Sequence, residues 1–253
     1  MSLLSIQEVG KRYRRGHREY LALRGVSLSV EHGELLCVLG TRKSGRSTLL
    51  RIAAGLERPD HGTVRFEGVE ISSVGNVIGR RIGYCRTSFS ALEGECVLDH
   101  VATGLLAQDA APRSARRAAE HVLSRMGAAD CAHLKPYELN GAECVRVGIA
   151  RALVCSPTLL VVDEPTATVG LLQSDQILRL LRTIADEGIA VLMSTGDAMC
   201  LAGVDRAMSL DEGELRGELQ PSEADVVPLR LAALQTAVEP TLMPGKPPRE
   251  YSA

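Results

Sequence analysis

The stretch CVLGTRKSGRSTLL, over residues 37–50, decides the fold of this chain. It follows the phosphate-binding pattern G-x-x-x-x-G-K-[ST] at Gly40, Gly45 and Ser47, but the lysine position holds Arg46. In such a loop the glycines let successive backbone N–H groups face phosphate oxygens, and the helix that follows adds the positive end of its dipole. A glycine-containing turn from strand to helix is also a common structural feature, so the stretch alone leaves both interpretations open.

The segments on either side have the order that a phosphate-binding loop requires. A short apolar run, ELLCVLG over 34–40, predicts a buried strand before the loop. RSTLLRIAAGL, over 46–56, has the spacing of a helix that follows it. The context therefore favours a nucleotide site, in which the hydroxyl of Ser47 would contact Mg²⁺.

A second apolar run, LLVVDEP over 159–165, predicts another buried strand, which ends in Asp163 and Glu164. Ligands of doubly wound sheets bind at the carboxyl ends of the strands, so we expect both carboxylates near the loop. Asp163 would then hold Mg²⁺ through its water shell, and Glu164 would be the catalytic residue that polarises an attacking water molecule. The alternative is a solvated acidic turn after a core strand.

The rest of the chain is predicted to alternate between strands and helices. The order is strand-rich, then helix-rich, then alternating, which indicates an α/β fold with a parallel-sheet core and a helical insertion. The predicted strands lie at 3–8, 23–30, 82–85 and 189–195, with a strand pair at 62–71, a mostly helical stretch from about 87 to 155 and a helix near 171–186. The last segment, 221–253, contains six of the eleven prolines, and we expect a disordered tail or a partner-docking segment there.

The composition limits the classes of function. A length of 253 residues, 45% of them apolar, suits one large domain with a tail. The net charge of −2 gives no argument for a nucleic-acid partner. No apolar run approaches the roughly 18–20 residues that span a bilayer, and the N-terminal charges stand in the wrong order for a signal peptide. The seven scattered cysteines favour reduced thiols over a disulfide frame or a zinc site.

Three downstream motifs resemble those of ABC-transporter nucleotide-binding subunits. LNGAE at 139–143 resembles the signature L-S-G-G-[QE], and RVGIARAL at 146–153 and VVDEPTA at 161–167 follow it at the family's spacing. The resemblance covers about 3–220. It implies a P-loop NTPase of the ABC type, in which a mixed sheet core carries a β subdomain and a helical subdomain at about 87–155. We therefore expect a nucleotide-binding domain over 1–220, followed by the tail.

The resemblance also implies a ligand, a set of binding residues and partners. In this family two subunits face each other head to tail, and ATP with Mg²⁺ lies between the loop of one and the signature of the other. A homodimer or heterodimer would pair with an integral membrane permease, which would hold it on the cytoplasmic face of the membrane. IGYCRTSFSALEGECVLDHV most resembles the lipoprotein-release and macrolide-export branch. The implied nucleotide-binding residues are Tyr13, Gly40, Thr41, Arg42, Lys43, Ser44, Gly45, Arg46, Ser47, Thr48, Asn140, Gly141 and Ala142.

Tyr13 stands where the family stacks an aromatic ring on adenine. The alternative for this residue is an ordinary tyrosine of a core or surface strand. Arg42 and Lys43 occupy positions that the family usually gives to small residues, and we expect the backbone of Lys43 to need a positive φ, which lysine tolerates poorly.

Several positions depart from the family pattern together. The guanidinium of arginine is broad and planar, whereas the ammonium group of lysine is a compact point charge. We therefore expect Arg46 to crowd the phosphate-binding loop. Loss of one transition-state donor typically lowers the rate by on the order of 10²–10³. The departures are Arg46 for the loop lysine, Thr87 for the Q-loop glutamine, Gly170 for the D-loop aspartate, Gly196 for the switch histidine, and Asn140 and Ala142 in the signature.

These departures leave three functions open. The first is a degenerate ATP-binding subunit whose own hydrolysis is slow or absent, paired with a permease. The second is a fully active ABC ATPase that tolerates the substitutions. The third is a nucleotide-independent scaffold or regulator that keeps the fold for its interaction surfaces.

Overall fold

The computed structural model describes residues 2–16, 18–71, 81–86 and 95–219. Within these ranges the chain forms a strand-rich first part, a helical middle part and an alternating last part. The strands are β1 (Leu4–Arg15), β2 (Arg18–Val30), β3 (Leu35–Leu39), β4 (His61–Phe66), β5 (Val69–Glu70), β6 (Ile82–Cys85), β7 (Leu159–Asp163), β8 (Ala190–Thr195), β9 (Arg206–Asp211) and β10 (Glu214–Leu219). The helices are α1 (Arg46–Ala53), α2 (Val97–Leu106), α3 (Pro112–Arg125), α4 (Gly141–Leu153) and α5 (Leu171–Asp186).

A six-stranded sheet forms the centre of the fold. Its strand order is β10-β9-β3-β8-β7-β6, and every neighbouring pair is parallel except β9 and β10. Strands β3, β8 and β7 are adjacent, so their carboxyl ends meet at one edge of the sheet. The predicted strand–loop–helix order at 34–56 and the predicted strand before Asp163 are confirmed.

A second sheet, antiparallel and of order β2-β1-β4-β5, forms the β subdomain. Its first hairpin is longer than the strands predicted at 3–8 and 23–30. The outer half of β1 reads KRYRR and has no apolar alternation, so cross-strand pairing rather than burial holds it. This pairing places Tyr13 opposite Tyr20.

Two apolar clusters cover the faces of the central sheet. Leu36 and Val38 of β3 belong to the cluster that contains α1 and the second sheet, whereas Leu35 and Cys37 face the cluster of α2–α5. Because successive strand residues point to opposite faces, a continuous apolar run such as β3 is expected of a strand covered on both sides. The mixed sheet core with a β subdomain and helical insertion is thus the observed architecture.

Helices α2, α3 and α4 all lie within the segment predicted to be helical, between β6 and β7. That this segment forms a separate subdomain over 87–155 stays a prediction, as does the domain boundary at residue 220. Residues 87–94 and the proposed tail lie outside the described ranges. No helix of the described part is long and apolar enough to cross a membrane.

Candidate functional site

The loop from Gly40 to Ser47 joins β3 to α1 and is shaped by two glycines that no other residue can replace. A Cβ on Gly40 would lie 2.4 Å from the carbonyl oxygen of Leu210, and one on Gly45 would lie 2.3 Å from that of Ala22. Gly45 also has a φ of 106°, a backbone conformation that strains other residues. The backbone of Lys43 has a φ of 72°, which confirms the expected positive φ at that position.

Two buried polar groups of the loop have no hydrogen-bond partner among the described residues. They are the hydroxyl oxygen of Ser44, which is 2% exposed, and Nη1 of Arg46, which is 6% exposed. A buried donor without a partner costs about 1–3 kcal/mol. The two groups lie at the start of α1, where backbone N–H groups and the helix dipole favour an anion. These residues therefore fit a phosphate group.

The second terminal nitrogen of the Arg46 guanidinium already has a hydrogen-bond partner. Nη2 donates to Oε1 of Glu164 at 2.6 Å, which ties the start of α1 to the end of β7. Glu164 has a φ of 49°, an uncommon conformation for a residue with a side chain. The proposed catalytic carboxylate is thus held by Arg46.

The guanidinium of Arg46 also covers the end of β8. A Cβ on Gly196 would lie 3.4 Å from Nη1 and 3.5 Å from Nη2 of Arg46. These are ordinary van der Waals distances, so the guanidinium lies directly beside position 196. Arg46 and Gly196 are therefore close neighbours.

Ser194 anchors the two acidic residues at the end of β7. It is fully buried, and its hydroxyl donates to Oδ1 of Asp163 at 2.7 Å and accepts from the backbone N–H of Glu164 at 3.1 Å. Asp163 lies directly opposite Ser194 in the parallel pairing of β7 and β8.

The charge of Asp163 also affects a neighbouring tyrosine. Burial, reinforced by the charge of Asp163, raises the pKa of Tyr84 to about 12.

The predicted magnesium ligands, Ser47 and Asp163, sit at the start of α1 and the end of β7. No group of three histidine, cysteine or acidic residues in the described ranges forms a metal cluster. Magnesium bound with nucleotides commonly uses one or two protein oxygens, with phosphates and waters completing its octahedron. The available donors therefore suit a cation brought in with phosphate.

Tyr13 is connected to the helix that follows the loop. Its hydroxyl donates to Glu57 at 2.5 Å, accepts from Nη2 of Arg51 at 3.0 Å, and lies 3.3 Å from the hydroxyl of Thr48. Burial, together with the hydrogen bond to Glu57, raises the pKa of Tyr13. Its ring stacks on Tyr20 with the centroids 5.3 Å apart. The network holds a partly exposed aromatic ring beside α1.

The signature residues Asn140, Gly141 and Ala142 lie at the start of α4. The side chain of Asn140 accepts from the backbone N–H of Glu143 at 3.0 Å, and Glu143 accepts from the backbone N–H of Asn140 at 2.8 Å. This capping box fixes the helix start. A Cβ on Gly141 would lie 2.8 Å from the carbonyl oxygen of Thr168, so the start of α4 packs on the segment before α5.

Direct side-chain contacts join two pairs of the predicted residues. Tyr13 reaches Thr48, and Arg46 joins the loop to Glu164. Thr41, Arg42 and Lys43 form the exposed rim of the loop, and Gly170 caps α5. Thr87 lies outside the described residues.

Sequence reasoning did not identify Ser194, Arg51 or Glu57 as parts of the site. Ser194 stands next to last in the buried strand IAVLMST. A hydroxyl at the carboxyl end of a strand beside the predicted acidic strand is the signal that points to it. Arg51 and Glu57 carry no such signal, because their role depends on where the outer half of β1 lies.

The fold and the site define a P-loop cassette with acidic residues at the neighbouring strand end. The family model described as ABC transporter matches residues 23–167. The chain is 34% identical to the cell division ATP-binding protein FtsE of Escherichia coli over 220 residues, which cover 85% of this chain and 98% of FtsE. The chain therefore belongs to the ABC transporter ATP-binding family.

Two further relatives are longer than this chain. An uncharacterized ABC transporter ATP-binding protein of Mycobacterium tuberculosis is 31% identical, over 83% of this chain and 65% of its own length. The macrolide export ATP-binding/permease protein MacB of Syntrophobacter fumaroxidans is 30% identical, over 86% of this chain and 32% of its own length. The chain thus spans less than two thirds of both proteins.

Among solved structures, the ATP-binding cassette MJ0796 resembles this chain with a TM-score of 0.79 and 26% identity. The similarity covers 86% of this chain and 98% of MJ0796, which was solved as a dimer in a post-hydrolysis state with ADP and phosphate. This likeness confirms the predicted fold of the ABC type.

Replacement of Ser194 tests how the acidic strand end is held. Ser194→Ala removes two hydrogen bonds inside the core, and we expect it to lower the free energy of unfolding by about 1–3 kcal/mol. Urea denaturation measures this loss. Ser174→Ala, at another buried serine in α5, serves as the control, and an equal loss in both variants would contradict a specific role of Ser194.

Proposed function

We propose that this chain is the ATP-binding subunit of an ABC transporter, that it binds Mg²⁺ and a nucleotide at the loop, and that its own hydrolysis is impaired. The observation that carries the proposal is the pair of buried groups without partners, Ser44 Oγ and Arg46 Nη1, at the helix start that follows the glycine loop. A bound phosphate satisfies both groups, which a nucleotide-independent scaffold has no need to keep.

Each part of the site has a role in this proposal. The loop N–H groups hold the phosphates, and the ring of Tyr13 stacks on the base. Ser47 and Asp163 hold Mg²⁺, which would neutralise phosphate charge when it is bound. Asn140, Gly141 and Ala142 face the nucleotide of a second subunit.

The stacking role of Tyr13 is testable by binding. A stacked base is worth about 1–3 kcal/mol, so Tyr13→Leu is expected to weaken MgATP binding by roughly tenfold. Calorimetry with the full chain measures the change, and Tyr13→Phe separates the ring from the hydroxyl network. Tyr137→Leu, at a tyrosine that is 85% exposed, is the control.

An unchanged affinity in Tyr13→Leu would show that the ring does not contact the base. If the wild-type chain bound no adenine nucleotide, the proposed function itself would be wrong and the scaffold alternative would stand.

Impaired hydrolysis follows from the contact between Arg46 and Glu164. A general base must accept a proton from water, and a carboxylate held 2.6 Å from a guanidinium is poorly placed to do so. The end of β8 offers no side chain at Gly196 to contact a terminal phosphate. Arg46 and Gly196, the two departures from the family pattern, both affect the space where a terminal phosphate would lie.

Reversion of the two positions separately and together tests this proposal. We expect Gly196→His alone to stay inactive, because Arg46 still holds Glu164. Arg46→Lys with Gly196→His frees Glu164 and is expected to raise the rate of phosphate release at least about tenfold, since one restored donor is typically worth on the order of 10²–10³.

Phosphate release by the purified chain measures this prediction, and addition of Glu164→Gln to the double variant is the control that should abolish the gain. A double variant as slow as the wild type would place the defect elsewhere. A wild-type turnover of several per second that Glu164→Gln abolishes would instead establish the fully active alternative.

Two surfaces support partners for this chain. Leu171 and Leu172, at the start of α5, are 54% and 70% exposed, and the segment before them packs against Gly141. This apolar surface beside the signature suits a second ATP-binding subunit, identical or different. The second surface is a cavity of about 350 Å³ between β6, α2 and α4, which suits an element of the permease.

Pairing with a permease would place the chain on the cytoplasmic face of the membrane. The branch that includes macrolide export is our proposed setting, supported by the likeness to MacB, whose name joins an ATP-binding part to a permease. We expect a membrane protein to copurify with the chain from its native cell. Ala107→Trp in the cavity should reduce that recovery, and Ala129→Trp on an exposed turn should not.

Equal recovery with both variants would exclude the cavity as the docking surface. Recovery of no membrane protein with the wild-type chain would contradict the transporter setting.

A further inference from the structure

The guanidinium of Arg46 occupies the space where the ends of three neighbouring strands meet. Arg46 follows β3 through the loop, its Nη2 contacts Glu164 at the end of β7, and both of its terminal nitrogens cover Gly196 at the end of β8. With 6% of its side chain exposed, the arginine fills this space rather than reaching out to solvent.

The two terminal nitrogens of this guanidinium differ in whether they already have a hydrogen-bond partner. Nη2 is committed to Glu164, whereas Nη1 and the nearby Ser44 hydroxyl have no partner among the described residues. Phosphates seated on the loop N–H groups can accept from Nη1 and from Ser44 while the pair with Glu164 stays closed. Two phosphates of a nucleotide thus fit the donors that remain.

The third, terminal phosphate of a triphosphate has no such open position in the site. In the proposed function, Asp163 and Glu164 act on the terminal phosphate, so that group has to lie between the loop and the end of β7. The guanidinium of Arg46 lies there, 2.6 Å from Glu164. A terminal phosphate must therefore displace a broad planar group and break a largely buried ion pair, which leaves Glu164 facing the phosphate charge without its partner.

We propose that this site selects nucleoside diphosphates over triphosphates, because the Arg46–Glu164 pair closes the terminal-phosphate position. The inference rests on the proposed function, since it concerns the same nucleotide site. It assigns the selectivity to one ion pair, so the position opens when the guanidinium is removed in Arg46→Lys or when the charge that holds it is removed in Glu164→Gln.

Equilibrium binding of MgADP and of MgAMP-PNP, a triphosphate that resists hydrolysis, tests the inference in the full chain. The wild-type chain is expected to bind MgADP at least about tenfold more tightly than MgAMP-PNP. Arg46→Lys and Glu164→Gln should each bring the two affinities to within about threefold, chiefly by strengthening MgAMP-PNP binding. Because both act on one contact, the double variant should add little to either single variant.

Arg179→Lys is the matched control, because Arg179 forms an exposed ion pair with Asp175 at 2.8 Å on α5. It should keep the wild-type preference. Thermal melting establishes whether each variant is folded. If Arg46→Lys does not fold, the comparison of the wild-type chain with Glu164→Gln decides the outcome.

Equal binding of the two nucleotides by the wild-type chain would overturn the selectivity and leave the proposed function intact. Variants that change both affinities by the same factor would also overturn it, since they would show that the pair does not act at the terminal phosphate. Binding of neither nucleotide would overturn the proposed function and this inference together.

Discussion

The parallel alignment of β3, β8 and β7 is the constraint on which the rest of the site depends. Leu39 lies opposite Thr195, and Asp163 lies opposite Ser194, so the three strands end at nearly the same level. The backbone N–H of Gly40 continues this alignment by donating to the carbonyl oxygen of Thr195 at 3.1 Å. Without this register, a loop residue such as Arg46 would not meet a carboxylate that is 118 positions further along the chain.

The place of the site was predictable from the sequence because the decisive strands are wholly apolar. ELLCVLG and LLVVDEP are short apolar runs bounded by glycine or proline, and runs of this length and setting indicate buried strands. The helix over 171–186 was likewise predicted at its observed bounds, since its apolar spacing is regular. The local sequence pattern was sufficient to predict a strand or helix wherever burial alone determined it.

The parts that the sequence did not predict depend on contacts between distant segments. Strands β9 and β10 mix polar and apolar residues, and pairing with β3 and with each other holds them. Crowding by Arg46 was predicted from its shape, but the direction of its side chain was not. That direction depends on the contact with Glu164, which lies 118 positions further along the chain, so no local pattern encodes it.

The close approach of Arg46 to position 196 also couples these two residues. Because the guanidinium would be in van der Waals contact with any Cβ at position 196, a substitution at one position changes the surroundings of the other. The effects of substitutions at the two positions are therefore not independent, and their free energies need not add.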